Sequence, residues 1–236
     1  MFQATQLVFY NCLSPVHMGA GTAVGAVDNP IQREVHTQYP VIAGSGLKGA
    51  VRHHFNRTWQ REAALIKRLF GPDTNASDHA GAIAFTDAQL VAFPVRSLKS
   101  TFVYATSATA LARLKRLARD KAPWAVPEVA AGQALVVAGT GTLSNGRLVL
   151  EAFDFAAKPD ANTQQIAQWL SQHALPEGDE HGYFRSKMAI DLVVLSETEF
   201  SHFVRHATVV EAHVAIDNDT GTAKGRLAVL HREPAA

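Results

Sequence analysis

A chain of 236 residues is long enough for one sizeable core. Hydrophobic residues make up 47% and charged residues 18%, the balance of an ordinary soluble domain, and a formal net charge of +1 excludes nucleic-acid binding by overall charge alone, so any anion site must come from local clustering. Cys12 is the single cysteine, which excludes an internal disulfide framework and points to a reducing compartment. The first residues lack the order of a signal peptide, and no apolar run is long enough to span a bilayer, so a cytoplasmic setting is expected.

In chain order, Gln6–Leu13 is rich in β-formers and predicts a first strand that ends at Ser14-Pro15. A long loop follows, with Gly19, Gly21, Gly25, Pro30 and Pro40. A loop of this length inside a compact chain is usually functional or disordered. Gly44-Ser45-Gly46 then opens a predicted helix to Trp59, with Leu47, Ala50, Val51 and Phe55 on one face and Ser45 as N-cap. A second helix, Arg61–Phe70, stops at Gly71-Pro72. Residues 73–80 read as a polar loop, Ile83–Val95 as a strand or hairpin, and Phe102–Thr106 as a strand. Ser107–Asp120 predicts a helix with Leu111, Leu114 and Leu117 inward and Arg113, Lys115, Arg116 and Arg119 largely outward. The segments 134–140 and 147–155 flank Asn145-Gly146, a strong hairpin signal. Thr163–His173 predicts a helix and Met188–Leu195 a strand. Ser196 with Glu199 forms a capping box that opens a short helix to about Arg205. Val209–Ile216 and Leu227–His231 predict strands on either side of the turn 217–221. The order is α+β, and a ferredoxin-like (split βαβ) core with inserted helices fits it.

Two stretches carry chemistry. Backbone N–H groups and the dipole at the mouth of the helix begun by Gly44-Ser45-Gly46-Leu47-Lys48-Gly49 suit an anion, and Lys48 and Arg52 share one face a turn apart. The spacing is not that of a Walker A loop; the bland alternative is a Gly-rich helix start with solvated cations. Gly19-Ala20-Gly21-Thr22-Ala23-Val24-Gly25 puts Val24 where a dinucleotide fingerprint needs glycine. In the same loop Asp28 is either a turn former or a group that holds a metal ion or positions a ribose 2′-hydroxyl. His17, taken alone, is best read as a half-buried side chain bonded to backbone. His202 and His206 have i, i+4 spacing but lack the Glu and third ligand of a zinc site.

Taken together, Ser-Pro-Val-His-Met-Gly-Ala-Gly (14–21), Val-Asp-Asn-Pro-Ile-Gln-Arg-Glu (27–34) and Tyr-Pro-Val-Ile-Ala-Gly-Ser-Gly-Leu-Lys-Gly-Ala-Val-Arg (39–52) strongly resemble the RAMP superfamily of CRISPR effector subunits. Gly81–Ala88, Phe93–Ser97 and Ile216-Asp217 with Thr220–Ala223 narrow the resemblance to the type III-B (Cmr) backbone subunit, with type III-A its nearest rival. It covers residues 6 to about 224. The resemblance implies a single RAMP domain over 1–236: a ferredoxin-like, RRM-type palm with inserted helices and a β-hairpin thumb, the thumb-like insertion and C-terminal region lying at about 184–224. Copies would stack head to tail along a CRISPR RNA with other Cmr-type subunits, with no membrane involved, and cleave complementary target RNA at regular intervals. That reaction would depend on a divalent metal ion, magnesium being the expected one. Asp28 would be the catalytic group and His17 its active-site neighbour, while Arg33, Ser45, Gly46, Lys48 and Arg52 would contact RNA. Cleavage is expected to leave a 2′,3′-cyclic phosphate. Lys224–Ala236 departs from the acidic-aromatic segment and last strand that the family carries there, so a palm without its last strand is anticipated. Two alternatives stay open: a non-catalytic RNA-binding scaffold, and a small-molecule enzyme that uses the Gly loop for a nucleotide.

Overall fold

The computed structural model describes residues 3–21, 27–72 and 79–232, with the main chain alone for 212–215 and 223–232. Parts of the Gly-rich loop (22–26) and of the polar loop (73–78) lie outside the described residues. The elements are β1 (Val41–Ile42), α1 (Gly44–Thr58), α2 (Ala63–Phe70), β2 (Ala88–Gln89), β3 (Phe93–Ser97), β4 (Thr101–Ser107), α3 (Ala108–Ala118), β5 (Gln133–Val136), β6 (Leu143–Ser144), β7 (Arg147–Leu150), β8 (Phe153–Pro159), α4 (Ala161–His173), α5 (Gly182–Asp191), β9 (Leu192–Leu195), α6 (Glu197–His206), β10 (Val209–Ile216) and β11 (Ala223–Arg232). They divide into two compact units, residues 1–6 with 41–89 and residues 7–40 with 90–236.

The smaller unit is the helical pair α1–α2 with the short antiparallel pair β1–β2, in which Val41 faces Gln89. Ile66 and Phe70 are the buried side chains of α2, and the Phe55 and Phe70 rings lie 5.9 Å apart. α2 stops at Gly71, whose φ of 96° few other residues adopt.

The larger unit is built on a seven-stranded mixed sheet in the order β3-β4-β9-β5-β8-β7-β6. β4–β9 and β5–β8 are parallel, and the other pairs are antiparallel. Ser97 of β3 also pairs with Leu150 of β7, with flanking bonds from Leu98 N–H to Val149 O and from Glu151 N–H to Arg96 O, so the sheet closes on itself. The α+β expectation holds. An open split-βαβ sheet has neither parallel neighbours nor this closure, and that is where the observed sheet departs from a simple ferredoxin-like palm.

Both faces of the sheet are covered, and the period-2 alternation of strands divides the core. Val103, Ala105, Val136, Val193 and Leu195 join Phe93, Phe155 and the α6 side chains Phe200 and Phe203. Tyr104, Leu135, Val137, Leu192 and Val194 join Leu111 and Leu114 of α3, Ile166 and Leu170 of α4, and Met188 of α5. All four residues of β9 are buried because the strand is central and clad on both sides.

Several expectations are corrected. Gln6–Leu13 lies outside every strand; Leu7 and Phe9 pack on the core, and the Phe9 ring meets Trp169 edge-on at 6.0 Å. Met188–Asp191 is the end of α5, not a strand, because an apolar run at a helix–strand junction carries no period of its own. Leu117 is 52% exposed. Arg113 turns inward to Glu34 at 3.0 Å. Helix α3 is capped by Ser107 and α6 by Ser196, whose hydroxyl accepts from Glu199 N–H; the Glu199 carboxylate engages the Ser196 hydroxyl and Gly132 N–H, so of the anticipated capping box the Ser196 half is formed. The Asn145-Gly146 turn has φ of 51° and 75°, as a type I′ turn requires, and joins β6 to β7. In the anticipated thumb region, 184–224, stand most of α5, β9, α6 and β10; the β10–β11 hairpin runs on to Arg232.

Candidate active site

Asp28 sits where the long loop of the larger unit is pinned back on itself. Met18 and Ala20 face Pro30 and Gln32: Ala20 N–H donates to Pro30 O and Gln32 N–H to Met18 O, both at 2.8 Å, and Gly19 bridges Ile31. The Gln32 amide adds a bond to Gly19 O at 2.9 Å. His17 Nε2 lies 2.9 Å from the main-chain oxygen of Asn29. Asn29 in turn lays its side chain over Gly19, where a Cβ would come within 2.6 Å of Oδ1. A glycine is required there by space rather than by dihedral. The half-buried Asp28 is therefore presented from a double-stranded brace, with five residues of the loop, 22–26, outside the described residues. His17 fulfils its bland reading, a half-buried ring on a backbone carbonyl, and that carbonyl adjoins Asp28.

The second half of the loop is fixed from two elements, α3 and α6. Arg33 bonds Gln38 O and Val204 O, at 2.9 and 2.8 Å. Arg113 of α3 holds the Glu34 carboxylate, and Arg205 of α6 reaches Thr37 O. Tyr39 donates its hydroxyl to Glu197 at 2.8 Å, and burial pushes that phenol up to about 12. Arg33 thus engages its own chain, where the resemblance assigns it to RNA.

In the smaller unit the mouth of α1 is occupied by the protein itself. Ala43 is the N-cap and makes no side-chain cap bond, so Ser45 is not the cap but stands, exposed, one residue inside the helix, with Gly46 beside it. The Asp87 carboxylate accepts from Gly44 N–H at 2.8 Å, serving the role that an anion was expected to fill. Residues 85–86 pass so close that a Cβ on Gly44 would lie 2.4 Å from Phe85 O. Arg52 donates to Gly71 O at 2.9 Å, satisfying the end of α2. Lys48 lines a cleft of about 350 Å³ with Phe70, Gly71, His79, Gly81 and Ile83. Asp28, His17 and Arg33 belong to the larger unit; Ser45, Gly46, Lys48 and Arg52 belong to the smaller. Asn29 and Asp87 stand inside quoted motifs, but their roles, packing on Gly19 and capping α1, appear only when distant segments are brought together.

Among the described residues no three of His, Cys, Asp and Glu gather to hold a metal ion. The His202 and His206 rings are 4.7 Å apart, and His202 packs on Phe153. No helix among these residues is long and apolar enough to cross a membrane.

The RAMP superfamily profile matches residues 9–234. The CRISPR system Cmr endoribonuclease Cmr4 of Pyrococcus furiosus is 33% identical over 223 residues, covering 92% of this chain and 72% of that protein. A crystal structure of oligomeric Cmr4 from the same organism superposes with a TM-score of 0.69 at 28% identity, over 84% of this chain and 71% of that one. A chain of the type III-B Cmr-beta complex bound to cognate target RNA, seen by cryo-electron microscopy, matches the fold with a TM-score of 0.69 at 20% identity, over 95% of this chain and 78% of that one. Carrying the superfamily's pattern from the end of its first segment to its C-terminal hairpin, the chain belongs to the RAMP superfamily, among the Cmr4-type subunits.

Proposed function

We propose that this chain is a repeating backbone subunit of a type III-B CRISPR ribonucleoprotein in the cytoplasm, that it binds CRISPR RNA together with copies of itself and other Cmr-type subunits, and that it cleaves complementary target RNA. The closed sheet with α3 and α4 serves as the palm, and β10–β11 as the thumb. The observation that carries the reading is the braced loop that presents Asp28, in a chain a third identical to a Cmr endoribonuclease.

The chemistry asked of this loop is positional. The 2′-oxygen of a target nucleotide attacks the adjacent phosphorus as its proton passes to solvent, a 2′-O–P bond forms, the P–O5′ bond breaks, the departing 5′-oxygen takes a proton from water, and a 2′,3′-cyclic phosphate and a 5′-hydroxyl result. Asp28 accepts the hydrogen bond of the 2′-hydroxyl and fixes it in line. Alignment of this kind lowers a barrier without any change in bonding energetics, and a rigid brace is what it needs. Guide pairing supplies sequence choice, so backbone contacts suffice for the protein.

A divalent ion, magnesium by expectation, is part of the proposal. The described residues do not assemble a site for it, and no step above passes through it. The alternative reading is a non-catalytic RNA-binding scaffold. Asp28→Asn in the reconstituted complex decides: the proposal expects cleavage to be lost while guide and target binding persist, and continued cutting at regular spacing would remove Asp28 from its role. The same assay with EDTA tests the metal requirement.

A further inference from the structure

Six arginines of this chain are committed to its own groups. Arg33, Arg52, Arg185 and Arg205 donate to carbonyl oxygens, and Arg113 and Arg147 to carboxylates. Arg57 and Arg61 have no side-chain hydrogen bond or ion pair among the described residues, and both line an open cleft of about 740 Å³ where α1 turns into α2. Between them stands Trp59. Trp124 and Trp169 are 1% and 7% exposed, whereas Trp59 is 39% exposed. Its ring is backed by Phe55 at 4.1 Å, and Phe55 rests on Phe70. A large aromatic face is thus left partly exposed, backed by Phe55, in a cleft that both arginines also line. Glu62 closes the cleft, leaving it with a net positive charge.

We propose that this junction is an RNA-contacting site, at which one unpaired nucleotide stacks its base on Trp59 and sets its phosphates against Arg57 and Arg61. The proposal rests on the RNA-binding reading above and names a place on the molecule that neither the motifs nor the Asp28 loop includes. Stacking on an indole accepts any base, and a planar guanidinium matches phosphate oxygens in a fork, so the site tracks a strand without reading its sequence. Glu62 repels a phosphate beside it and offers an acceptor to an exocyclic amine, which places the base, not the backbone, on that side. A base inside a duplex has both faces covered by its stacked neighbours, so the site distinguishes single-stranded RNA from duplex.

The test uses the full chain and a fluorescent single-stranded RNA of about 12 nucleotides, within the span of known single-strand sites, alone and annealed to its complement. Trp59→Ala should weaken single-strand binding by about 5- to 150-fold, the range of one base stack, and Trp59→Phe should recover most of it. Arg57→Gln and Arg61→Gln should each lower the slope of log affinity against log salt by about 0.7. Duplex binding should change by less than about twofold, since no stack is lost there. Should Trp59→Ala fail to fold, the two arginine variants decide through their salt slopes. The proposal is overturned if all variants bind like the wild type with an unchanged slope. Equal losses for duplex overturn it too, as does a loss of self-association at unchanged RNA affinity. Wild-type protein that binds neither RNA would instead sink the RNA reading itself.

Discussion

His17 Nε2 stands 2.9 Å from the main-chain oxygen of Asn29, the residue that follows Asp28. The ring reaches across twelve residues of loop to hold the peptide next to the carboxylate. Its contribution is to position Asp28. His17→Ala should reduce single-turnover cleavage by about 10- to 100-fold, as a displaced reacting group does, with target affinity unchanged in a filter-binding assay. His17→Gln keeps a donor at similar reach and should lose less. Equal loss in both variants would assign the ring to proton transfer instead.

Gly19 and Asn29 form the other half of the brace. A methyl group on Gly19 would meet Asn29 Oδ1 at 2.6 Å and Nδ2 at 2.8 Å. Oδ1 is buried with no hydrogen-bond partner among the described residues, so the side chain is seated by packing alone. Gly19→Ala should therefore impair cleavage, and Asn29→Gly in the same chain should restore part of it by removing what the methyl strikes. A double variant no better than Gly19→Ala would show that the contact does not set the position of Asp28.

Much of this was legible in the sequence, for reasons that differ from element to element. Several signals that act within one turn hold: Ser196 caps α6, Gly71 ends α2 after Phe70, and Asn145-Gly146 turns β6 into β7, whereas Ser45 does not cap α1. Asp28 and His17 stand out in the sequence because the motif that carries them is contiguous. The errors concern partners remote in sequence. The glycines at the mouth of α1 look like a phosphate cradle, yet Gly44 is small because residues 85–86 cross it, and Asp87 caps the helix. Arg33 and Arg52, which the resemblance assigns to RNA, serve carbonyls of the chain itself. Gln6–Leu13 has a strand's composition and lies outside the ladders.

The Asp87 cap has a measurable consequence. Asp87→Ala removes the acceptor from Gly44 N–H and the negative charge from the positive end of α1. A loss of about 1 kcal/mol is expected, within the range for N-cap replacements, seen as a lower denaturation midpoint of the purified chain. Asp87→Asn keeps the acceptor and should lose less. If Asp87→Ala gained affinity for phosphate or short RNA, the carboxylate would be guarding an anion site.

The Tyr39 hydroxyl gives a pH signature. Burial raises it from 10.0 to about 12, and the hydrogen bond to the Glu197 carboxylate works in the same direction. A group whose acid form is favoured by folding contributes its full stabilisation below pH 10 and loses it as pH rises toward 12. The wild type should lose stability over that window more steeply than Tyr39→Phe, as denaturation midpoints measured across it would report. Parallel curves would mean that the phenol titrates alike in both states.

Lys187 and Asp191 form the remaining buried charge pair, one turn apart on α5 at 2.7 Å. Ser100 donates its hydroxyl to Asp191 and accepts from Lys187 on both its hydroxyl and carbonyl, while Thr140 donates to the other carboxylate oxygen. The Lys187 ammonium also lies 4.5 Å from the centre of the Phe102 ring. Next in sequence to Ser100, Thr101 has a φ of 60°, a costly conformation for a β-branched residue, and Phe102 N–H closes the tight turn on Ser100 O at 2.6 Å. The network holds Ser100 and so enforces the turn that starts β4, the strand between β3 and β9 in the closed sheet. Removing one charge strands the other: Lys187→Met or Asp191→Leu alone should cost about 3–5 kcal/mol in urea denaturation. The double variant should cost less than the sum, because two charges then leave the interior together. Thr101→Gly should stabilise the single variants and the wild type alike if the turn persists, and the wild type alone if the turn relaxes once the network is broken. Simple additivity of the two charge substitutions would show that the pair is not coupled.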